Sequence, residues 1–190
     1  MDPKIVNTAV EVHGHFAPSL VLGLRMSEIA LSILNANRGD KALIGISEME
    51  LCLPDSLQIA TGCTLGKRRI FIENYGKLAL TLANSQTRQG VRVALKEEVK
   101  NYSDLMNKWT MRLGKLNHEE EADPRVKLLD IDEKYFLIQR VQVNKNKNSD
   151  KPTISVCSNR KEPFSSDLAT LQEDRIYCRS CSGDTYYKPT

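Results

Sequence analysis

Two histidines flank a glycine in His13-Gly14-His15-Phe16-Ala17-Pro18, directly ahead of an apolar stretch with helical character. Imidazole is both a proton shuttle and a metal ligand near neutral pH. Just before a helix N-terminus, the positive end of the helix dipole disfavours imidazolium and keeps a ring nitrogen free for a metal or a proton. The alternative is that both rings only hydrogen-bond loop backbone, as buried polar groups generally do.

A second reactive stretch runs from Asp55 to Lys67, is preceded by Cys52 and contains Thr61-Gly62-Cys63-Thr64-Leu65-Gly66-Lys67. Gly62 and Gly66 let the backbone present Cys63 on a tight, accessible loop. The spacing is not that of a phosphate loop. Three residues rather than four separate the glycines, and Arg68 stands where a magnesium-binding hydroxyl is needed. Nucleoside triphosphate hydrolysis is thereby excluded. Cys63 can act as a nucleophile activated by His13 or His15, or as a metal ligand. The core-cleft candidates are His13, His15, Cys52, Cys63 and Lys67, with a core metal expected on His15 and Cys63. No residue is assigned a catalytic role.

Five cysteines are an odd number, and two stand as Cys178-Arg179-Ser180-Cys181. Metal ligation in a reducing compartment fits this better than a disulfide framework. A formal charge of +3 with mixed signs throughout gives no electrostatic case for nucleic acid or a membrane surface, so neither partner is expected. No apolar run reaches the roughly 20 residues of a bilayer span, and the N-terminus lacks the build of a signal peptide. A cytoplasmic location is expected.

The elements that must position these groups can be read from periodicity. Pro18 to Ala36 reads as a central helix, with Pro18 suited to its first position. Residues 42–51 look extended, and Pro54 to Ala60 reads as a short helix ended by Gly62. Three alternating segments follow, Arg69 to Glu73, Leu78 to Ala83 and Val91 to Leu95. The turn chemistry of Asn74-Tyr75-Gly76 predicts an antiparallel meander with one buried face. Tyr102, Leu105, Met106, Trp109, Leu113 and Leu116 recur at helical spacing and predict a helix covering that face. Glu119-Glu120-Glu121 and Pro124 precede a short helical stretch ending near Asp130, and Tyr135 to Val143 reads as a strand. The fold class is α+β, an antiparallel sheet packed with helices. The polar run from Asn144 to Pro152 marks a boundary between a core domain, 1–150, and a small C-terminal module, 151–190.

With these motifs in place, the chain resembles the E-subunit family of formylmethanofuran dehydrogenase. Members carry a pattern close to His-Gly-His-x-Cys-Pro-Gly with a Leu-Gly-x-Arg continuation, matched by His13 to Ser19 and Leu22-Gly23-Leu24-Arg25. They also carry Cys-x-x-Asp-x-x-Gln-x-x-Thr-Gly-Cys-Thr-x-Gly-Lys, matched from Cys52 and Asp55 through Gln58 to Lys67. Gly76-Lys77-Leu78-Ala79 and Val91-Arg92-Val93 look like the family too. The chain departs from it at Ala17, where relatives have cysteine, and at Ser19, where they have glycine.

The resemblance implies that the tail is a treble-clef-like zinc module with Cys157, Cys178 and Cys181 as ligands. Arg160 stands where the first knuckle's second cysteine belongs, and Lys161 replaces the knuckle glycine. The module is therefore degenerate, and zinc binding that is weak or absent is expected. The implied function is a metal-binding accessory protein, with zinc as the cofactor, associated with a molybdenum or tungsten formylmethanofuran dehydrogenase. The competing reading is a small redox or hydrolytic enzyme using Cys63 and the histidines in a core cleft. A homodimer is expected, because a sparse three-cysteine module on a polar tether needs a second surface.

Overall fold

The computed structural model describes residues 4–114, 128–144 and 153–187. The chain divides into two compact units, Met1–Lys147 and Asn148–Thr190.

The first unit opens with α1, Lys4–His13, a helix that periodicity does not announce because only Val6 and Ala9 of it are buried. Helix α2, Pro18–Leu34, carries Pro18 in its first turn and ends on Asn35 in the left-handed conformation. Its apolar residues lie on nearly every face, and Leu20, Val21, Leu22, Leu24 and Met26 are all completely buried. Helix α3, Leu53–Thr61, ends on Gly62 at φ 74.

The strands are β1 Leu43–Ser47, β2 Ile70–Ile72, β3 Ala79–Asn84, β4 Gln89–Leu95 and β5 Phe136–Gln142. They form one sheet in the order β2-β1-β3-β4-β5. Every pairing is antiparallel except β1 with β2, which run parallel. The expected meander is corrected here: β2 does not pair with β3, and Asn74 to Gly76 is not a hairpin turn, because β1 lies between the two strands. All five residues of β1 are buried, so its two faces and both edges need cover that only a central position supplies.

Alternation along the strands puts Leu43, Leu80, Leu82, Val91 and Val93 in the same core cluster as the apolar residues of α2 and α3. The other face carries a smaller cluster of Ile44, Ile46, Ala83 and Val143. Helix α2 packs on β3 and β4 and α3 on β1, so α2 covers the sheet rather than the helix expected after Tyr102. That later helix, α4, spans only Asp104–Thr110. Met106 enters the core, whereas Leu113 is 65% exposed. Leu116, the Glu119-Glu120-Glu121 patch and Pro124 lie outside the described residues.

The second unit contains two hairpins. Strand β6, Ile154–Val156, pairs with β7, Pro163–Ser165, and β8, Thr170–Gln172, pairs with β9, Arg175–Tyr177. A 3-10 turn, Arg179–Ser182, follows β9. Among the described residues, no helix is long and apolar enough to cross a membrane.

Candidate functional site

In the second unit, Cys157 follows β6, Cys178 follows β9, and Cys181 lies in the 3-10 turn, where its N–H donates to the Cys178 carbonyl at 3.0 Å. The link between the hairpins is local: Ser158 N–H donates to the Ile176 carbonyl at 2.7 Å. The three sulfurs come within 4.8 Å of one another, and among the described residues this is the only group of three or more side chains placed to hold a metal ion.

Backbone N–H groups of Cys178, Arg160 and Asn159 aim at the Cys157 sulfur and lower its pKa to about 6, with burial opposing them. Cys181 is pushed upward by burial and by the neighbouring thiols. One thiolate is thus stabilised by fixed dipoles before any metal arrives. The Arg160 guanidinium lies 5.0 Å from the centre of the Tyr187 ring, a cation–π contact, while the Arg160 backbone supports the Cys157 sulfur. Lys161 adopts φ 61, the left-handed conformation that a glycine accommodates more easily.

In the first unit, the sequence candidates separate. His13 is the last residue of α1, not a residue of the loop immediately before α2, so the argument from the dipole of α2 does not apply to it. Gly14, at φ 90, donates to the Val10 carbonyl at 2.8 Å and reverses the chain. The His13 and His15 rings then lie 4.7 Å apart between centres. His13 Nδ1 is 2.7 Å from Asp55 Oδ2, and its Nε2 is 3.5 Å from Cys52 Sγ. Asp55 is in the first turn of α3, and Cys52 is the residue that caps it.

The cysteine that meets the histidine loop is therefore Cys52. Cys63 is completely buried, and its Sγ donates to the Leu43 carbonyl at 3.5 Å. The same carbonyl accepts from Nε of buried Arg69 at 2.8 Å. His15 is exposed, as is Lys67, which closes a 3-10 turn whose cap Thr64 accepts from its N–H at 3.2 Å. Sequence reasoning missed Asp55 as the third member of the cluster, although it stands in the motif that begins at Cys52. Its separation from His13 by 42 positions hid the contact.

A cavity of about 560 Å³ opens beside Cys52, with Ser19, Leu78, Leu95 and Trp109 in its lining. Burial pushes the Cys52 thiol above its usual range, a hydrogen bond with Ser19 works against this, and the Asp55 carboxylate adds to it. At neutral pH Cys52 rests as a thiol.

Residues 12–154 match FmdE, described as "Molybdenum formylmethanofuran dehydrogenase operon". The chain belongs to this family. It is 31% identical over 204 residues to a "Probable S-adenosyl-L-methionine-binding protein" of Archaeoglobus fulgidus, an alignment covering 96% of this chain. The chain spans about half that relative's length, 54%. The chain is also similar in fold to a "tungsten formylmethanofuran dehydrogenase subunit e (fmde)-like protein" from Syntrophus aciditrophicus. The TM-score is 0.74 at 23% identity, over 97% of this chain and 94% of the other.

Proposed function

We propose that the chain is a metal-binding accessory protein that carries zinc on Cys157, Cys178 and Cys181 and accompanies a molybdenum or tungsten formylmethanofuran dehydrogenase. The observation that carries the metal reading is the clustering of three thiols within 4.8 Å around a sulfur already favoured as thiolate. The donor set fits zinc, which accepts thiolates at about 2.3 Å and is usually four-coordinate. Bound there, zinc would cross-link the two hairpins and leave one coordination position for a ligand from outside the trio. Family membership supports the association with the dehydrogenase.

A homodimer is part of the proposal. The second unit is too small to bury its apolar residues alone. Ile154, Val156 and Leu171 are each more than half exposed, and a second copy would cover them.

Metal analysis of untagged protein, alongside Cys178→Ser and Cys181→Ser, tests the metal. About one zinc per chain in the wild type, lost in both variants, is expected; equal content in all three would overturn it. Light scattering over micromolar concentrations should give twice the chain mass, and a monomer mass throughout would remove the dimer. Recovery with the dehydrogenase under mild conditions is expected, and repeated isolation without it counts against the association.

A further inference from the structure

We propose that Cys52, His13 and Asp55 form a nucleophilic thiol triad that hydrolyses an activated acyl compound, an ester or thioester, bound in the adjoining cavity. This activity is separate from the metal reading, because the thiol trio belongs to the other unit.

Two helices converge to build the triad. His13 ends α1, Cys52 caps α3 and Asp55 stands in the first turn of α3. Nδ1 of His13 is 2.7 Å from the Asp55 carboxylate, which favours the tautomer with the proton on Nδ1. Nε2 is then an acceptor, and it faces the Cys52 sulfur at 3.5 Å. This is the order of contacts a general base requires: nucleophile to base, base to orienting carboxylate. The imidazole side chain is only 14% exposed, so the base works largely shielded from solvent.

Cys52 holds φ 56 and ψ −48, and the N–H of Leu53 donates to the Leu51 carbonyl across it. That is a γ-turn of the rare positive-φ form, a conformation that costs energy for any side chain. Cys52 sits in the cavity lining rather than sealed like Cys63.

The cavity sets the substrate class. Leu78, Leu95, Val99 and Trp109 make an apolar wall that suits a hydrocarbon or flat acyl body. Lys96 and Arg112 add two cations to the lining; its Glu97 carboxylate is engaged by Lys100 at 2.5 Å. An acyl compound with an anionic group away from the reacting carbon matches this arrangement.

In the first step the Cys52 proton moves to His13 Nε2 as Sγ bonds to the acyl carbon. The bond to the alkoxide or thiolate leaving group breaks, and His13 returns the proton to that group. Water then attacks the S-acyl carbon with His13 again taking a proton, the carbon–sulfur bond breaks, and the proton goes back to Sγ. Acid and alcohol or thiol are the products, with no net redox change. Because burial keeps the resting group as thiol, His13 has to accept the proton during attack.

The test uses the full chain with 4-nitrophenyl acetate as probe, with and without a zinc chelator. Peptide mapping by mass spectrometry should place an acetyl group on Cys52, and nitrophenolate release should continue beyond one equivalent in both conditions. His13→Gln should slow acetylation of Cys52 by about a hundredfold or more, the usual worth of a general base. Asp55 is a positioning residue: Asp55→Asn should lower kcat with KM held, while Asp55→Glu restores part of kcat. Circular dichroism and thermal melting identify variants that fold, and the His13→Gln comparison stands if Asp55→Asn does not. Acetylation only at Cys157, Cys178 or Cys181, or an equal Cys52 rate in wild type and folded His13→Gln, would overturn the proposal.

Discussion

Gly23 of α2 faces Ser56 of α3 across a gap with no room for a methyl group. A Cβ at Gly23 would lie 2.7 Å from Cβ of Ser56 and 2.8 Å from Cδ2 of Leu53. Ser56 also donates to the Leu20 carbonyl at 2.8 Å, so the two helices are bonded where they touch. Gly23→Ala should cost about 1–3 kcal/mol through overpacking, read as a lower midpoint in urea unfolding. Since α3 carries Cys52 and Asp55, the same variant should disturb the 3.5 Å contact between Cys52 and His13.

Arg92 and Glu48 form a two-pronged ion pair, with Nε to Oε1 at 2.5 Å and Nη2 to Oε2 at 2.8 Å. The Glu48 side chain is only 9% exposed, so removing the cation leaves a carboxylate with little water. Arg92→Met should destabilise the first unit by about 3 kcal/mol. Adding Glu48→Gln should recover a substantial part of the loss. Equal unfolding midpoints for wild type and Arg92→Met would show that the pair contributes nothing net.

Lys161, which the family resemblance sets where a knuckle glycine is expected, holds φ 61, a backbone conformation that glycine takes more easily. Its ammonium donates to the Ser158 carbonyl at 2.8 Å, which offsets part of the strain. Lys161→Gly should stabilise the C-terminal unit by up to about 1 kcal/mol, judged by proteolysis or hydrogen exchange. Arg160→Cys should add a fourth thiolate and slow the loss of zinc to a chelator. No gain from either change would separate the departures from the module's stability.

The Cys157 thiol is lowered from 9.0 to about 6 in the folded chain. The unfolded state therefore binds more protons between those values, and stability rises with pH across that window. The contribution is complete above about pH 9 and is lost as pH falls through about 6. Hydrogen exchange in the metal-free C-terminal unit, corrected for intrinsic rates, should show protection increasing from about pH 6 to about pH 8. Cys157→Ser should flatten that dependence.

The sequence by itself determined the family, the central helix and the location of the thiols. Pro18 followed by an apolar run on nearly every face requires a helix buried all round, and α2 is that helix. Gly62 was legible as a cap because the left-handed conformation favours glycine. Cys178 and Cys181 were legible as a local pair, since three residues bring them round one turn.

Strand order and side-chain neighbours were decided only by tertiary structure. Whether β2 pairs with β1 or β3 depends on which strand must be covered on both sides, a property of the whole sheet. Helix α1 carries too little buried surface to announce itself, yet it places His13 on Cys52 and Asp55. Local spacing records which residues share a turn or a face. It carries no information on which of two cysteines, Cys52 or Cys63, a distant histidine meets, because packing of α1, α2 and α3 settles that contact.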